Sequence, residues 1–268
     1  MELIGLYPVL FGGLWGYINK EGSVVIEPQF DRAHNFSEGK ANVMIDYEWG
    51  YINRNGKFVI EPKFDVAGPF HEGLAFVETK GKWCYINNKG KIIIKTNFEN
   101  VGEFSEGIAP VMTDDEWGYI NRNGKLVIKP KFEFAGAFRE KLGWVKTNGK
   151  WGCITVEGNI VIEPQFDRAG YFSEGLAWVE IRGKCGYIDK SGNMVIMPQF
   201  DESSHFSEGL APVKIHGKWG YIDKNGKIFI EPQFNKASLF AGGLAAVIID
   251  GDLGYINKNG DYIWNPTR

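Results

Sequence analysis

The sequence predicts an all-β protein built from eight repeats of 34 residues. Tryptophan recurs at this interval, as between Trp15 and Trp49. An isoleucine follows each tryptophan position by three residues, and a glycine follows it by seven. Aromatic residues make up 15% of the chain and glycines number 35, a combination typical of short strands joined by tight turns. The repeats are marked by Trp15, Trp49, Trp83, Trp117, Trp151, Cys185, Trp219 and Leu253.

Each repeat is predicted to form a three-stranded antiparallel meander. The segments WGYID (219–223) and KIFIEP (227–232) are rich in aromatic and β-branched residues and are predicted to be strands. Asp223 and Gly226 favour a type I turn that ends in a left-handed glycine, which gives a hairpin with a bulge. Pro232 is expected to end its strand because it has no N–H to donate. GLAPVKI (209–215) supplies the third strand, and Gly220 is expected to make room for a neighbouring repeat.

The connector between repeats, QFDxAxxFSEG, carries two phenylalanines that we expect to pack between neighbouring repeats. A three-stranded sheet cannot bury its apolar face alone, so stacking must do so. Eight repeats need 8 × 34 = 272 residues, four more than the 268 present. The N-terminal GLYPV (5–9) matches the third strand and is predicted to complete the last repeat, closing a β-propeller-like ring. The alternative is an open, twisted β-solenoid, and either arrangement is a single domain over residues 1–268.

Composition argues against several classes of protein. The net charge is -3 and no dense Lys/Arg run occurs, so a nucleic-acid partner is not expected. No apolar run approaches ~20 residues, and the N-terminus lacks the basic region of a signal peptide, so no membrane segment or leader is expected. Cys84, Cys153 and Cys185 have no paired spacing, which argues against a disulfide framework or a zinc knuckle. We therefore expect a cytoplasmic protein.

The repeated segments resemble a known family. WGYI, the segment G-K-hydrophobic-VIEPQF and FSEGLAxV are similar to the bacterial WG-repeat family, also called KWG repeats, over essentially the whole chain. This resemblance implies an interaction scaffold, and the family brings no catalytic residues to transfer.

Two rows of carboxylates recur and are candidates for catalysis. Paired carboxylates could perform glycosidase-like chemistry if one pKa were raised. An acid repeated in nearly every unit is, however, expected to accept backbone N–H bonds in a turn. The four histidines lie at four different repeat positions, so neither a metal site nor a cofactor is expected. The rows are Glu38, Glu72, Glu106, Glu140, Glu174 and Glu208, and Asp31, Asp65, Glu99, Glu133, Asp167 and Asp201.

Candidate binding residues lie where the repeats differ from one another. Large aromatic residues occupy the variable position of GLAxV in three repeats, and the most irregular segment is FREKLGWV (138–145). Aromatic side chains can anchor protein interfaces or form sugar platforms. The alternative is that these residues only repack neighbouring repeats. The candidate binding residues are Phe76, Phe134, Arg139, Trp144, Tyr171 and Trp178.

The sequence therefore predicts a monomeric, non-enzymatic scaffold whose partner is another protein. The alternative is a carbohydrate-binding module with platforms around Trp144 and Trp178. An enzyme with a central carboxylate site, similar to a glycosidase, is the most remote alternative.

Overall fold

The computed structural model describes residues 6–19 and 23–267, and none of these residues lies in a helix. The described part of the chain accordingly has no helix long and apolar enough to cross a membrane. Contacts divide the chain into two compact units, the N-terminal half (Met1–Phe132) and the C-terminal half (Glu133–Arg268).

The described residues of the N-terminal half form four small antiparallel sheets. Each sheet follows its neighbour along the chain, and strands adjacent in sequence are paired. The strands are β1 (Tyr7–Phe11), β2 (Leu14–Ile18) and β3 (Val24–Phe30) in the first sheet; β4 (Arg32–Ala33), β5 (Lys40–Ile45), β6 (Glu48–Asn53) and β7 (Phe58–Phe64) in the second; β8 (Val66–Ala67), β9 (Leu74–Thr79), β10 (Lys82–Asn87) and β11 (Ile92–Lys95) in the third; and β12 (Asn100–Val101), β13 (Ile108–Thr113), β14 (Glu116–Asn121) and β15 (Leu126–Phe132) in the fourth.

The described residues of the C-terminal half form four more sheets of the same kind, each with four strands. The strands are β16 (Phe134–Ala135), β17 (Gly143–Thr147), β18 (Lys150–Ile154) and β19 (Ile160–Phe166); β20 (Arg168–Ala169), β21 (Leu176–Ile181), β22 (Lys184–Asp189) and β23 (Met194–Phe200); β24 (Glu202–Ser203), β25 (Ala211–Ile215), β26 (Lys218–Ile222) and β27 (Ile228–Phe234); and β28 (Lys236–Ala237), β29 (Leu244–Ile249), β30 (Asp252–Asn257) and β31 (Tyr262–Thr267).

Among the described residues, a fourth, short strand extends the predicted three-stranded meander in every sheet but the first. It comes from the connector, where Arg32 and Ala33 pair with Met44 and Val43 of the next strand. The connector therefore contributes backbone hydrogen bonds to the following sheet as well as packing side chains. A 34-residue repeat can build a four-stranded sheet because this edge strand is only two residues long.

The prediction that the N-terminal strand completes the last repeat is wrong. β1 pairs along its whole length with β2, from Tyr7 opposite Ile18 to Phe11 opposite Leu14. Gly12 and Gly13 form the tight turn between these strands, so the pairing is local. In the last sheet, β29 already occupies the third-strand position and pairs with β30.

The glycine of the Trp-Gly pair was predicted to make room for a neighbouring repeat, and this prediction is wrong. The glycine makes room for a strand of its own sheet. A Cβ on Gly220 would lie 2.5 Å from the Ile230 carbonyl oxygen and 2.7 Å from the Pro232 nitrogen, both in the next strand of the same sheet. The pairing register shifts at this point, which marks a bulge. Pro232 lies in the bulge, where no ladder N–H is needed, and the strand continues to Phe234. The expectation that proline ends the strand is thus also wrong.

The core lies between successive sheets. One apolar cluster unites Tyr51 and Phe64 of the second sheet with Phe70, Cys84 and Ile86 that follow in the chain. The connector phenylalanines therefore pack between neighbouring repeats, as predicted. Five of the motif tyrosines also donate their hydroxyl to a backbone carbonyl 17 residues later, as Tyr51 does to Gly68 at 2.7 Å. The others are Tyr17 to His34, Tyr85 to Gly102, Tyr187 to Ser204 and Tyr221 to Ser238.

Candidate functional site

A stack of three side chains lies on the surface of the C-terminal half. Tyr171 and His205 occupy the same connector position in consecutive repeats, and their ring centroids are 3.5 Å apart with planes inclined by 14°. The Arg139 guanidinium carbon lies 4.8 Å from the centroid of the Tyr171 ring, within cation–π distance. Tyr171 is 40% exposed, and Arg139 is exposed as well. A cation and two rings are therefore held together where another molecule can reach them.

Trp178 extends this stack. Its ring centroid is 6.4 Å from that of His205, and the Arg168 guanidinium carbon lies 5.7 Å from the indole centroid. The half-buried indole lies directly over Gly170, which leaves no space for a Cβ at that position. The glycine thus makes room for the indole. We call Arg139, Arg168, Tyr171, Trp178 and His205 the Tyr171 cluster.

The electrostatics of the cluster favour a neutral His205. Burial lowers the pKa of His205, and the positive charge of Arg139 lowers it further, whereas the hydrogen bond to the Tyr171 carbonyl oxygen raises it. The net pKa lies below the ordinary value of 6.5. Because a carbonyl can only accept, the His205 Nδ1 carries the proton in this 3.1 Å bond. The cluster therefore presents two arginine cations beside neutral rings near pH 7.

The structure brings together three of the six candidate binding residues, Arg139, Tyr171 and Trp178. Trp144 is not exposed beside them, because its side chain is only 6% exposed and belongs to the core. Its ring is nearly parallel to that of Phe172, at an interplanar angle of 6°, and it pairs across the strands with Cys153. Trp144 therefore cannot act as a surface platform in this structure, and its indole Nε1 has no hydrogen-bond partner among the described residues.

The remaining two candidates contact other residues. Phe76, in the N-terminal half, is half-buried, covers Gly68, and has its ring centroid 5.9 Å from that of Trp83. Phe134 is 42% exposed, and its ring meets that of Trp151 edge-on at 5.2 Å. A binding role for these two residues stays a prediction.

Sequence reasoning missed His205 and Arg168 as members of the cluster. His205 carried a usable signal, since it lies 34 residues after Tyr171 and therefore at the equivalent connector position. Arg168 gave no such signal, because the same residue type occurs at the equivalent position as Arg32.

The recurring glutamates join neighbouring repeats. Five of the six accept the backbone N–H of a glycine 35 residues later, as Glu174 does from Gly209 at 3.1 Å. A lysine or arginine 50 residues later also pairs with four of them, as Lys224 does with Glu174 at 3.1 Å. These bonds fit the expectation that the glutamates accept backbone N–H groups. The N–H groups belong to the next repeat, however, and not only to the local turn. The other pairs are Glu38 with Gly73, Glu72 with Gly107 and Arg122, Glu140 with Gly175 and Lys190, and Glu208 with Gly243 and Lys258.

The second carboxylate row holds the turns between strands. Asp167, for example, accepts the backbone N–H of Arg182 at 2.7 Å and pairs with Lys150. These contacts, the Lys150 hydrogen bond foremost, hold the pKa of Asp167 below its ordinary value. The same backbone bond joins Asp31 to Asp46, Asp65 to Lys80, Glu99 to Asp114 and Glu133 to Gly149.

The cysteines and histidines do not form a metal centre in the part of the chain that the structure describes. No group of three or more His, Cys, Asp or Glu side chains could hold a metal ion there. Cys84, Cys153 and Cys185 are free and buried, and burial raises the pKa of each thiol. A raised pKa disfavours the reactive thiolate.

Solved structures show the fold that these sheets compose. A eukaryotic initiation factor matches 99% of this chain over 85% of its own, with a TM-score of 0.66 at 10% sequence identity. The C-terminal WD40 domain of Sif2 matches 98% of this chain over 89% of its own, with a TM-score of 0.53 at 10% identity. Hsv2p of Kluyveromyces lactis matches 88% of this chain over 97% of its own, with a TM-score of 0.54 at 9% identity. WD40 domains are β-propellers, so the predicted eight-bladed β-propeller is confirmed over the alternative of an open solenoid.

Comparison with sequence profiles of protein families shows the family of this chain. No curated protein matches the chain in sequence. The profile described as "WG containing repeat" matches seven successive segments, residues 15–48, 49–83, 85–117, 117–151, 151–185, 186–219 and 219–251. These segments cover most of the chain and carry the Trp-Gly pairs whose bulge contact is described above. The chain therefore belongs to the WG-containing repeat family.

Proposed function

We propose that this protein is a non-catalytic scaffold that binds another protein through the Tyr171 cluster. The observation that carries the proposal is the stack of Arg139, Tyr171 and His205, in which Arg139 and Tyr171 are exposed. Tyrosine, tryptophan and arginine are the residues most enriched at the energetic centres of protein interfaces. The likeness to a WD40 domain supports a scaffold fold without naming a partner.

The chemistry of the cluster suits a partner that offers a carboxylate beside an apolar group. The arginine guanidinium presents several N–H donors in a planar fork that matches a carboxylate. Tyr171 and Trp178 provide rigid ring surface that loses little conformational entropy on binding. His205 stays neutral near pH 7, so it adds ring surface without a third positive charge.

The carbohydrate alternative receives less support from the same residues. It relied on Trp144 and Trp178 as neighbouring platforms, and Trp144 is buried. Trp178 and Tyr171 remain as ring surfaces, so glycan binding is retained as one outcome of the test.

Several further properties belong to the same proposal. The recurring carboxylates bind backbone N–H groups and lysines, which supports a non-enzymatic role. Three free, buried thiols accord with a reducing, cytoplasmic location. We expect the protein to act as a monomer, without a nucleic-acid partner or membrane association.

The test uses two variants, Arg139→Ser and Tyr171→Ala, whose new side chains already occur at the equivalent positions of other repeats. Ser173 is equivalent to Arg139, and Ala137 is equivalent to Tyr171. Partners are captured from a lysate of the source cell, identified, purified and titrated against each variant. We expect Tyr171→Ala to weaken the affinity for the purified partner at least about tenfold, which corresponds to about 1.4 kcal/mol.

The matched control is Met197→Glu, on an exposed strand position. Met197 is 67% exposed, and the residue at the equivalent position of the next repeat is Glu231. This variant should bind the partner like the unaltered protein. If Tyr171→Ala and Arg139→Ser both keep full affinity, the cluster is not the binding surface. Saturable binding on a glycan array that Trp178→Ala removes would instead favour the carbohydrate alternative.

A further inference from the structure

Arg139 differs from the other arginine of the Tyr171 cluster, because it has no acidic partner among the described residues. Arg168 Nη1 lies 3.3 Å from the Glu180 carboxylate. Glu140, which follows Arg139 in the chain, pairs instead with Lys190 at 2.8 Å. The guanidinium of Arg139 therefore keeps its positive charge and its N–H donors for another molecule.

The backbone of Arg139 is fixed by the turn in which it lies. Its N–H donates to the Leu142 carbonyl oxygen at 2.9 Å, and the Leu142 N–H donates to the Arg139 carbonyl oxygen at 3.1 Å. The side chain lies over the Tyr171 ring, whose opposite face is covered by His205 at a centroid distance of 3.5 Å. The order of the stack is therefore Arg139, Tyr171 and His205. The exposed arginine forms its outer end.

Other repeats use the position of Arg139 for a structural hydrogen bond. Ser37, Ser173 and Ser207 occupy this position, and each donates its hydroxyl to the backbone carbonyl of a connector phenylalanine 33 residues later, at 2.6, 2.8 and 2.7 Å. Arg139 makes no such bond among the described residues, and its side chain lies over Tyr171 instead. The loss of this link between neighbouring repeats is explained if the arginine serves binding.

A guanidinium held in this way has two kinds of binding surface. Its planar faces attract aromatic rings through cation–π and stacking contacts. Its N–H groups point outward within the plane and match a carboxylate. One side of the Arg139 guanidinium lies against Tyr171, so the other side and the N–H groups remain for a partner.

We propose that the partner is anchored by an aromatic side chain that stacks on the outer side of the Arg139 guanidinium, next to an aspartate or glutamate that accepts its N–H groups. The recognised segment is thus an aromatic residue beside an acidic residue. This inference rests on the function proposed above and names the side chains that the Tyr171 cluster recognises.

Three capped peptides separate the contribution of the ring from that of the charge. Acetyl-Gly-Glu-Phe-Gly-amide carries both groups, acetyl-Gly-Glu-Leu-Gly-amide lacks the ring, and acetyl-Gly-Gln-Phe-Gly-amide lacks the charge. Binding to the full-length protein is measured by NMR titration of the arginine Nε–H signals. We expect saturable binding of the Glu-Phe peptide and at least about threefold weaker binding of each of the other two. A stacked ring should also move the Arg139 Nε–H proton signal upfield, which the Glu-Leu peptide cannot do.

Arg139→Lys tests the planar guanidinium separately from its charge. Lysine keeps the positive charge but has neither the planar face nor the fork of donors. The preference for the Glu-Phe peptide over the Glu-Leu peptide should therefore fall to less than about twofold. Arg122→Lys is the matched control, because Arg122 already pairs with Glu72 at 3.2 Å in the N-terminal half. This variant should bind all three peptides like the unaltered protein, and thermal midpoints show that both variants fold.

The inference is overturned if the Glu-Phe peptide does not bind, if it binds no more tightly than the Glu-Leu peptide, or if folded Arg139→Lys keeps the full preference. The titration of Tyr171→Ala against the purified partner separately decides whether the cluster binds a partner. If Tyr171→Ala weakens that binding and Arg139→Lys does not, the proposed function stands and the inference is wrong. Self-association of the unaltered protein that Arg139→Ser abolishes would assign this surface to a second copy of the chain and would also overturn the inference.

Discussion

Trp144 and Cys153 face each other across neighbouring strands and divide one volume between them. Cys153 occupies the position of the motif tyrosine, and the small side chain leaves space that the Trp144 ring fills inside the core. Where the tyrosine is present, as at Tyr187, the opposing Trp178 instead lies over a glycine and stays half-buried. The size of one residue thus decides whether the opposite indole is core or surface.

Because Trp144 and Cys153 share one volume, we expect substitutions at these two positions to be strongly coupled in their effect on stability. Cys153→Tyr alone should lower the free energy of unfolding by about 1–3 kcal/mol, because two large rings would compete for the same space. Trp144→Ala alone should lower it by about 3–5 kcal/mol through the cavity it leaves. The double variant restores the large–small pairing and should be more stable than the sum of the two losses implies.

Urea denaturation of the four proteins measures the coupling. Additive losses would show that the residues do not share one volume. The exposed change Met197→Glu serves as the control and should leave the midpoint nearly unchanged.

At the scale of the element, the Trp-Gly pair and the following strand fit together as one structural unit. The strand after the hairpin bulges towards the glycine, and the proline lies in the bulge. In the second sheet a Cβ on Gly50 would lie 2.7 Å from both the Ile60 carbonyl oxygen and the Pro62 nitrogen. These neighbours are backbone atoms of a paired strand, so they cannot move aside without loss of hydrogen bonds.

Gly220→Ala is therefore expected to be strongly destabilising, although alanine is the smallest side chain that could be added. We expect a loss of about 3 kcal/mol or more, at the upper end of the effects of overpacking. Gly136→Ala is the matched control, because its Cβ would meet its nearest neighbour at 3.5 Å, an ordinary contact. Equal thermal midpoints for the two variants would contradict the role given to the bulge.

Sequence periodicity was enough to predict the strands, the turn and the packing of the connector phenylalanines, since each depends on neighbours close in sequence or on the repeat. It failed at the bulge, because the contact of Gly220 with Ile230 depends on a register shift within the sheet. It also failed for Trp144, because burial there depends on which residue lies opposite across the strands. The stack of Tyr171 on His205 was partly predictable, since both residues share one repeat position.

At the scale of the whole chain, stability depends on carboxylates that are repeated at fixed intervals. Glu208, for example, accepts the Gly243 N–H at 3.0 Å and pairs with Lys258 at 3.1 Å. In a repeat protein such links between neighbours contribute in proportion to their number. Protonation of the carboxylates, which breaks these links, should therefore destabilise several repeats together.

Acid should weaken the C-terminal half. Six of its carboxylates have a pKa below the ordinary value. Their folded pKa values lie below the ordinary values of 3.8 for aspartate and 4.5 for glutamate. A lowered folded pKa confers stability that is present above the unfolded pKa and is lost as the pH falls through the folded value. These residues are Glu140, Glu157, Asp167, Asp189, Asp201 and Glu208.

Amide hydrogen exchange of the full chain between pH 7 and pH 3, corrected for the intrinsic effect of pH, measures this loss. We expect peptides from residues 133–267 to lose protection below about pH 4.5, as these carboxylates become protonated. Added salt at pH 7 should reproduce only a small part of the effect, because exposed lysine pairs are screened whereas the bonds from glycine N–H groups are not broken. Asp201→Asn and Glu208→Gln should flatten the pH dependence of the C-terminal half, since neither amide titrates. Unchanged protection of residues 133–267 down to pH 3, or a pH dependence that neither substitution alters, would show that these carboxylates do not govern the response to acid.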